Sequence, residues 1–257
     1  MTTNMTTVIC VTNQKGGVGK TTTAINVAYY LAKLGKTTLL VDFDPQGNAT
    51  SGLGIDKQGL SGTMTEVLMG EKSLAEVVIP TEHKRLFVAP STPQLANAEV
   101  ELAQAQHRFG RLKFAIDQTN DYDFVIIDSP PSLSLLTVNG LIAARYVLLP
   151  VQAEFYALEG LGQLLETMKL VRKSMNPTID LVGVLPTMVD GRTSLSGQVL
   201  AEITKHFPAK VFKTTIPRNV RLAEAPSHGL PIGAYDRFSK GARAYKAVTK
   251  ELMERVG

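Results

Sequence analysis

The sequence predicts one doubly wound α/β domain, a mostly parallel sheet flanked by helices, over residues 1–257. Three observations predict it. Short apolar runs rich in β-branched residues alternate with longer stretches of helical periodicity. The runs are apolar at nearly every position, as strands buried on both faces of a parallel sheet must be. The first run also passes through a glycine-rich turn into a helix, and no repeat, low-complexity tract or linker divides the chain.

The strands follow in order. "TVICVT" begins at Thr7, "TTLLVDF" at Thr37, "RLFVAPS" at Arg85, "FVIIDS" at Phe124, "YVLLPV" at Tyr146, "LVGVLPT" at Leu181 and "VFKTTIP" at Val211. Each is closed by Pro, Gly, Asp or Ser, residues that favour turns. Between the first two, Ala24, Val27, Ala28, Leu31 and Leu34 share one helical face, and Gly35 supplies the stop. Near the end, Tyr245, Val248, Leu252 and Val256 form a second stripe. The opposite face mixes Lys246, Lys250 and Arg255 with Glu251 and Glu254, the balance of a helix packed on its own domain.

Composition narrows the class. Hydrophobic residues make up 44% and charged residues 19% of 257, an ordinary globular balance with ample length for a core. The one cysteine, Cys10, sits in an apolar run with no partner for a disulfide or metal cage, as in a reduced cytoplasmic protein. "MTTNMTT" lacks the layout of a signal peptide, and no apolar stretch is long enough to span a membrane. The net charge of +4 hides an asymmetry: residues 190–257 hold 12 Lys and Arg against 6 Asp and Glu, and residues 1–189 hold 15 against 17. A polyanion-facing surface and a merely solvated basic face both satisfy that distribution.

"NQKGGVGKTTTA", Asn13 to Ala24, departs from the Walker A pattern G-x-x-x-x-G-K-[ST] by carrying Gln14 for the first glycine and adding Lys15. Closely spaced glycines let backbone N–H groups converge on phosphate oxygens at a helix N-terminus. Lys20 is placed for the β- and γ-phosphates and the Thr21 hydroxyl for Mg²⁺. "FVIIDSPP" ends a strand in Asp128, a carboxylate positioned for the metal. "LLVDFDPQGNAT" ends another in Asp42 and Asp44, which point the same way at period two. Asp42 also reads as a turn or helix cap. Asp44 is the better candidate for orienting a water. Taken alone, Lys15 reads equally as a solvated lysine in a polar loop.

"KGGVGKTT", "VDFDPQGNATSGLG", "IIDSPPSL", "PVQAEFYALEGL" and "IPRNVRLAEAPSHGLPI" together resemble the ParA/Soj family of chromosome- and plasmid-partition ATPases, within the deviant Walker A group that includes MinD. The likeness runs from about Val8 to about Arg243. It implies an ATPase using ATP and Mg²⁺, forming a nucleotide-sandwich homodimer that binds duplex DNA non-specifically and is stimulated by a ParB/Spo0J-type partner. A cytoplasmic, nucleoid-associated protein is implied, with no membrane partner.

The resemblance makes Lys15 a cation supplied in trans to the partner's phosphates, like an arginine finger made of lysine. It makes Asp44 the water-positioning carboxylate and Asp128 the magnesium sensor. The nucleotide set becomes Lys15, Gly16, Gly17, Val18, Gly19, Lys20, Thr21 and Thr22, with Met188, Pro217, Arg218 and Asn219 on the adenine side. No N-K-x-D motif follows the strand before Met188, which favours ATP over GTP. DNA contact falls on Arg192 and Arg221, widened by Lys240 and Arg243, although the last two also read as solvated charges.

Two other classes share the scaffold. A MinD-like membrane switch would differ in its last helix. A metabolic ligase or kinase is permitted by fold, but the four histidines and Cys10 form no second-substrate cluster in the sequence, and the bridging cysteines of an iron–sulfur reductase are absent.

Overall fold

The computed structural model describes residues 6–119, 121–154 and 161–257, apart from the side chains of 194 and 195. Part of the segment "PVQAEFYALEGL", residues 155–160, lies outside the described residues.

The strands are β1 (Thr7–Val11), β2 (Thr38–Asp42), β3 (Ile79–Pro80), β4 (Leu86–Ala89), β5 (Phe124–Asp128), β6 (Tyr146–Gln152) and β7 (Asp180–Thr187). They form one sheet in the order β3-β4-β2-β5-β1-β6-β7. All neighbours are parallel except the short β3, which pairs antiparallel with β4 at one edge. The expected class is therefore observed, with β3 added: two residues ending in proline are too short to show a period in sequence.

Side-chain alternation divides the core in two. Val8, Cys10, Leu39, Val41, Val125, Ile127, Val147 and Leu149 point to one face. Ile9, Val11, Leu40, Ile126 and Leu148 point to the other. The first face is covered by α3 (Met64–Met69), α4 (Leu74–Val77), α5 (Gln94–Leu102), α6 (Arg111–Asp117), α7 (Leu135–Ala143), α8 (Leu161–Ser174) and α9 (Ser194–His206). The second is covered by α1 (Lys20–Lys33), α2 (Asn48–Gly52), α11 (Ile232–Tyr235) and α12 (Lys240–Val256), with α10 (Val220–Glu224) and a 3₁₀ turn (Ala225–His228) alongside. Strands buried on both sides account for their apolar runs.

The seventh strand expected, "VFKTTIP", does not form. Val211 and Pro217 make only isolated parallel bridges, to Val184 and Val189. Val184 N–H donates to Lys210 O and Phe212 N–H to Val184 O, each at 2.9 Å. The next ladder bond would come from Pro186, which has no N–H. The segment bows out there and returns when Ile216 N–H reaches Pro186 O at 2.9 Å.

Helix α12 holds the bowed residues. Glu251 accepts from Lys213 N–H at 2.9 Å and Thr214 N–H at 3.0 Å. Arg255 donates to Val182 O, Lys210 O and Val211 O and pairs with Glu251 at 2.8 Å. Arg255 and Glu251, expected on the outer face of the last helix, are thus turned into the structure. Burial pushes the Glu251 carboxyl up, but these bonds outweigh it and hold it below the usual range. Of the apolar stripe, Tyr245, Val248 and Leu252 are buried, and Tyr245 Oη lies 3.1 Å from Thr23 Oγ1 of α1. Among the described residues no helix is long and apolar enough to cross a membrane.

One backbone seam links the two ends of the chain. Gly54, after α2, and Gly229, after the 3₁₀ turn, both lie at positive φ. A Cβ built on Gly229 would sit 2.6 Å from Gly54 Cα, so only glycine fits.

We expect Glu251→Ala to strand two N–H donors and the Arg255 guanidinium, costing about 2–4 kcal/mol. Urea unfolding measures this. A loss under about 0.5 kcal/mol, the scatter of ordinary surface changes, would show that the clamp does not hold the segment.

Candidate functional site

Strand β1 ends in the middle of the sheet, between β5 and β6, and the loop from Thr12 to Gly19 leads from its C-terminal edge into α1. Ligands of open α/β sheets bind at that edge. The loop is pinned from three sides. Asn13 Nδ2 donates to Pro150 O of β6 at 2.8 Å, and Asn13 Oδ1 accepts from Lys15 N–H at 3.0 Å. Thr187 Oγ1, at the end of β7, donates to Val18 O at 2.8 Å. Lys20 folds back so that its Nζ donates to Lys15 O at 3.0 Å.

Gly17 and Gly19 are left-handed, at φ 74° and 88°. A Cβ on Gly16 or Gly17 meets nothing within 4 Å. Packing inside the chain therefore gives no reason for glycine at 16.

The two lysines are placed differently. Lys20 is buried, and burial lowers its pKa, while Asp128 and then Asp44 pull it back up. Lys15 is exposed and lies 3.7 Å from the Glu154 carboxylate, which also faces Arg218 at 3.7 Å.

Asp42 and Asp128 stand opposite each other in the β2–β5 register, and both are fully buried. Asp42 is satisfied: its Oδ2 accepts from Thr50 N–H and Thr50 Oγ1, each at 2.7 Å, tying α2 to the strand. The capping alternative is the one the structure adopts, with Asp42 Oδ2 taken up by Thr50. Burial pushes the Asp42 carboxyl up to about 6 despite those bonds. Asp44 is buried one turn on, its Oδ1 accepting from Gln46 N–H at 2.9 Å.

Neither Asp128 oxygen has a hydrogen-bond partner. Burial, then the charge of Asp42, pushes its pKa well above the usual range, and the Thr21 hydroxyl and Lys20 act against that rise. A buried carboxylate left so calls for a cation. Among the described residues no cage of three or more His, Cys, Asp or Glu forms. One carboxylate with a neighbouring hydroxyl suits Mg²⁺, which keeps waters and substrate phosphates as its other ligands.

Beside the loop opens a cavity of about 370 Å³, lined by Gly19, Thr22, Thr187, Met188, Ile216 to Val220, Leu222, Ala223 and Tyr245. The residues expected on the adenine side, Met188, Pro217, Arg218 and Asn219, all line it. The bridge between Val189 and Pro217 brings them together, with Met188 at positive φ. Sequence reasoning missed Thr187, Ile216, Val220, Leu222, Ala223 and Tyr245. Asn219 carried a usable signal, because its side chain caps Arg221 N–H at 2.9 Å and so starts the helix that supplies Leu222 and Ala223.

The cations expected to meet DNA are exposed but not all free. Arg192 grips both oxygens of Asp190, at 2.9 and 2.7 Å, and this fork holds the Asp190 carboxyl far below its usual range. Arg221 pairs with Glu224 at 2.8 Å and faces Asp236 at 3.7 Å. Lys240 and Arg243, on the first turn of α12, are exposed with no ion pair among the described residues. Gly241 on α12 packs against Leu222, joining that turn to α10.

A family described as an AAA domain matches residues 6–181. The chain is 52% identical over 246 residues to the sporulation initiation inhibitor protein Soj of Bacillus subtilis, covering 95% of this chain and 97% of that protein. It is 51% identical over 249 residues to the chromosome partitioning protein ParA of Myxococcus xanthus, covering 96% and 88%. The chain belongs to the ParA/Soj family of chromosome-partitioning ATPases. A solved structure of cobyrinic acid a,c-diamide synthase from Mycobacterium smegmatis, with an ATP analogue and magnesium, superposes with a TM-score of 0.87. It is 38% identical and covers 98% of this chain and 96% of that one.

A carboxyl whose pKa is raised on folding favours the folded state while protonated. That contribution is complete below the unfolded pKa and is lost as pH rises through the folded one. Asp128→Asn should therefore raise the Tm of ligand-free protein at pH 7–8, by roughly 2–4 °C per kcal/mol relieved. The gain should shrink as pH falls toward the ordinary carboxylate range. Thermal melts across pH test this, and an equal or lower Tm at pH 8 would contradict it.

Proposed function

We propose that the chain is a DNA-partition ATPase. On this reading its ATP-bound homodimer holds duplex DNA without regard to sequence and releases it after hydrolysis stimulated by a ParB/Spo0J-type partner, at the nucleoid. The observation that carries it is the division of labour between the lysines: Lys20 is buried within its own phosphate loop, while Lys15 is exposed at the loop's outer side. A cation already inside the site serves nucleotide binding in cis, and one held outside, in an exposed pair with Glu154 weak enough to open, serves a second subunit.

The roles follow from placement. Backbone N–H groups of Gly16 to Thr22 cradle the phosphates at the start of α1. Thr21 and Asp128 hold Mg²⁺, which screens charge on the phosphoryl group. Asp44 orients the attacking water. The cavity between Met188 and Tyr245 takes the adenosine end of ATP. Arg192, Arg221, Lys240 and Arg243 contact DNA phosphates and read no bases, so binding depends on salt and not on sequence. The ion pairs of Arg192 and Arg221 with Asp190 and Glu224 must open or be shared when phosphate arrives, and such exposed pairs are weak enough to do so.

A diamide synthase is the reading that the 38% identical structure would favour. Partition is favoured by the higher identity to ParA and Soj, 51% and 52% against 38%.

The deciding experiment is retention on unrelated DNA fragments through a salt series with ATP or ADP. ATP-dependent retention that falls steeply with salt is expected, and equal retention with ADP would overturn the proposal. Asp44→Ala should keep ATP binding and dimerisation while turnover drops about a hundredfold or more. Lys15→Ala should lose the ATP-dependent dimer on size exclusion, whereas Lys20→Ala should lose nucleotide binding by the single subunit. A Lys15→Ala protein that dimerises normally would refute the trans assignment.

A further inference from the structure

At the opposite, N-terminal edge of β2 and β4, a cavity of about 270 Å³ opens between the end of α1 and the turn before β4. Lys33, His83, Lys84 and Arg85 form its rim, and Tyr29 its floor. His83 meets Tyr29 edge-on at 5.0 Å between ring centres, and Lys33 Nζ lies 5.6 Å from the centre of the same ring. Burial, then the charge of Lys33, holds the His83 pKa below its usual value, while Glu82 opposes.

Three cations converge here without an acidic partner among the described residues. Lys33, Lys84 and Arg85 are exposed, and among the described residues none of their side chains makes an ion pair. The nearby carboxylates do not neutralise them: Glu82 is exposed on the same turn, and Asp123 is engaged by Thr37 N–H at 2.7 Å. A lysine ending a helix complements the helix dipole, which accounts for Lys33 alone. Lys84 and Arg85 lie at no helix end.

Arg85 is the telling residue. It sits at φ 68°, a left-handed conformation that glycine adopts without strain and other side chains rarely do. The turn needs that conformation, because Arg85 O accepts from Thr38 N–H at 2.9 Å to start the β2–β4 pairing. A glycine would serve the backbone better, so the turn itself does not call for the guanidinium.

The basic C-terminal region packs against the tyrosine beneath this cavity. Helix α11 rests on the same floor, since a Cβ on Gly233 would lie 2.6 Å from Tyr29 Cε1. The chain then passes through exposed Arg237, stacked on Phe238 at 4.6 Å, to Lys240. A duplex presents regularly spaced phosphates along such a path.

We propose that Lys33, Lys84 and Arg85 form a second DNA-phosphate contact, extending the DNA surface from α10 and α12 across the end of α1. It rests on the DNA-binding reading above and adds a site remote from the nucleotide. The rim lies at the sheet edge opposite the phosphate loop, so its cations act on DNA affinity and not on hydrolysis.

The test is the triple variant Lys33→Gln, Lys84→Gln, Arg85→Gly, in the full chain with ATP and arbitrary duplex DNA across a salt series. Glycine at 85 relieves the backbone, so folding is preserved, with the DNA-free ATPase rate and Tm as controls. The slope of log affinity against log salt should fall by about one unit for each phosphate left without its cation. Lys84→Arg should bind as the parent does. Wild-type retention and slope in the triple variant, with weakened binding by Arg192→Ala/Arg221→Ala, would overturn this site and leave the partition reading standing. No ATP-dependent retention by the parent chain would overturn both. Loss of binding to anionic phospholipid vesicles, with DNA retention unchanged, would reassign the rim to lipid headgroups and refute the DNA contact.

Discussion

Two carboxylates placed side by side in the sheet interior govern much of this structure. Because β2 and β5 are parallel neighbours in register, Asp42 and Asp128 must end their strands together. Water cannot reach either, and their mutual repulsion makes two charges costly. The chain resolves the conflict unequally. Asp42 is given three donors, from Thr50 and Asp44. Asp128 is given none, and is left facing Lys20 and Thr21 at the mouth of the phosphate loop. One carboxylate thereby becomes scaffold, and the other is kept in need of a cation.

The surrounding architecture delivers groups to that point. Parallel order brings β1, β2, β5, β6 and β7 to a common edge. All five contribute: β1 the loop, β2 the turn that carries Asp44, β6 the carbonyl that holds Asn13, β7 the hydroxyl that holds Val18, and β5 the orphan carboxylate. The C-terminal segment then closes the side of the site. After the bow it rejoins the sheet at Ile216 and Pro217, and the residues from Ile216 to Val220 line the cavity beside Met188.

Much of this was legible in the amino-acid order, for a physical reason. Strands buried on both faces need apolar residues at every position, and a phosphate loop needs glycine and lysine at fixed spacing, so both leave dense local signals. What escaped depends on contacts distant in sequence or on a missing atom. The bowed segment at Val211 to Pro217 looked like its neighbours because the deciding residue, Pro186, belongs to another strand. Arg255 looked solvated on a helical wheel, and only the carbonyls of Val182, Lys210 and Val211 draw it inward. Asp42 could not be told from Asp44 by period two, since the difference is a bond to Thr50. The acid partners of Arg192 and Arg221, by contrast, stood two and three residues away and were overlooked.

The seam between Gly54 and Gly229 has its own implication. Most contacts between segments pass through side chains, which change rotamer and absorb small displacements. Here backbone abuts backbone, with no compliant layer between. Helix α2, tied through Thr50 to the strand that carries Asp42, and the 3₁₀ turn that follows α10 are thus joined by an incompressible bearing. A shift of the turn by a fraction of an ångström is transmitted whole to α2, or else the two surfaces separate outright.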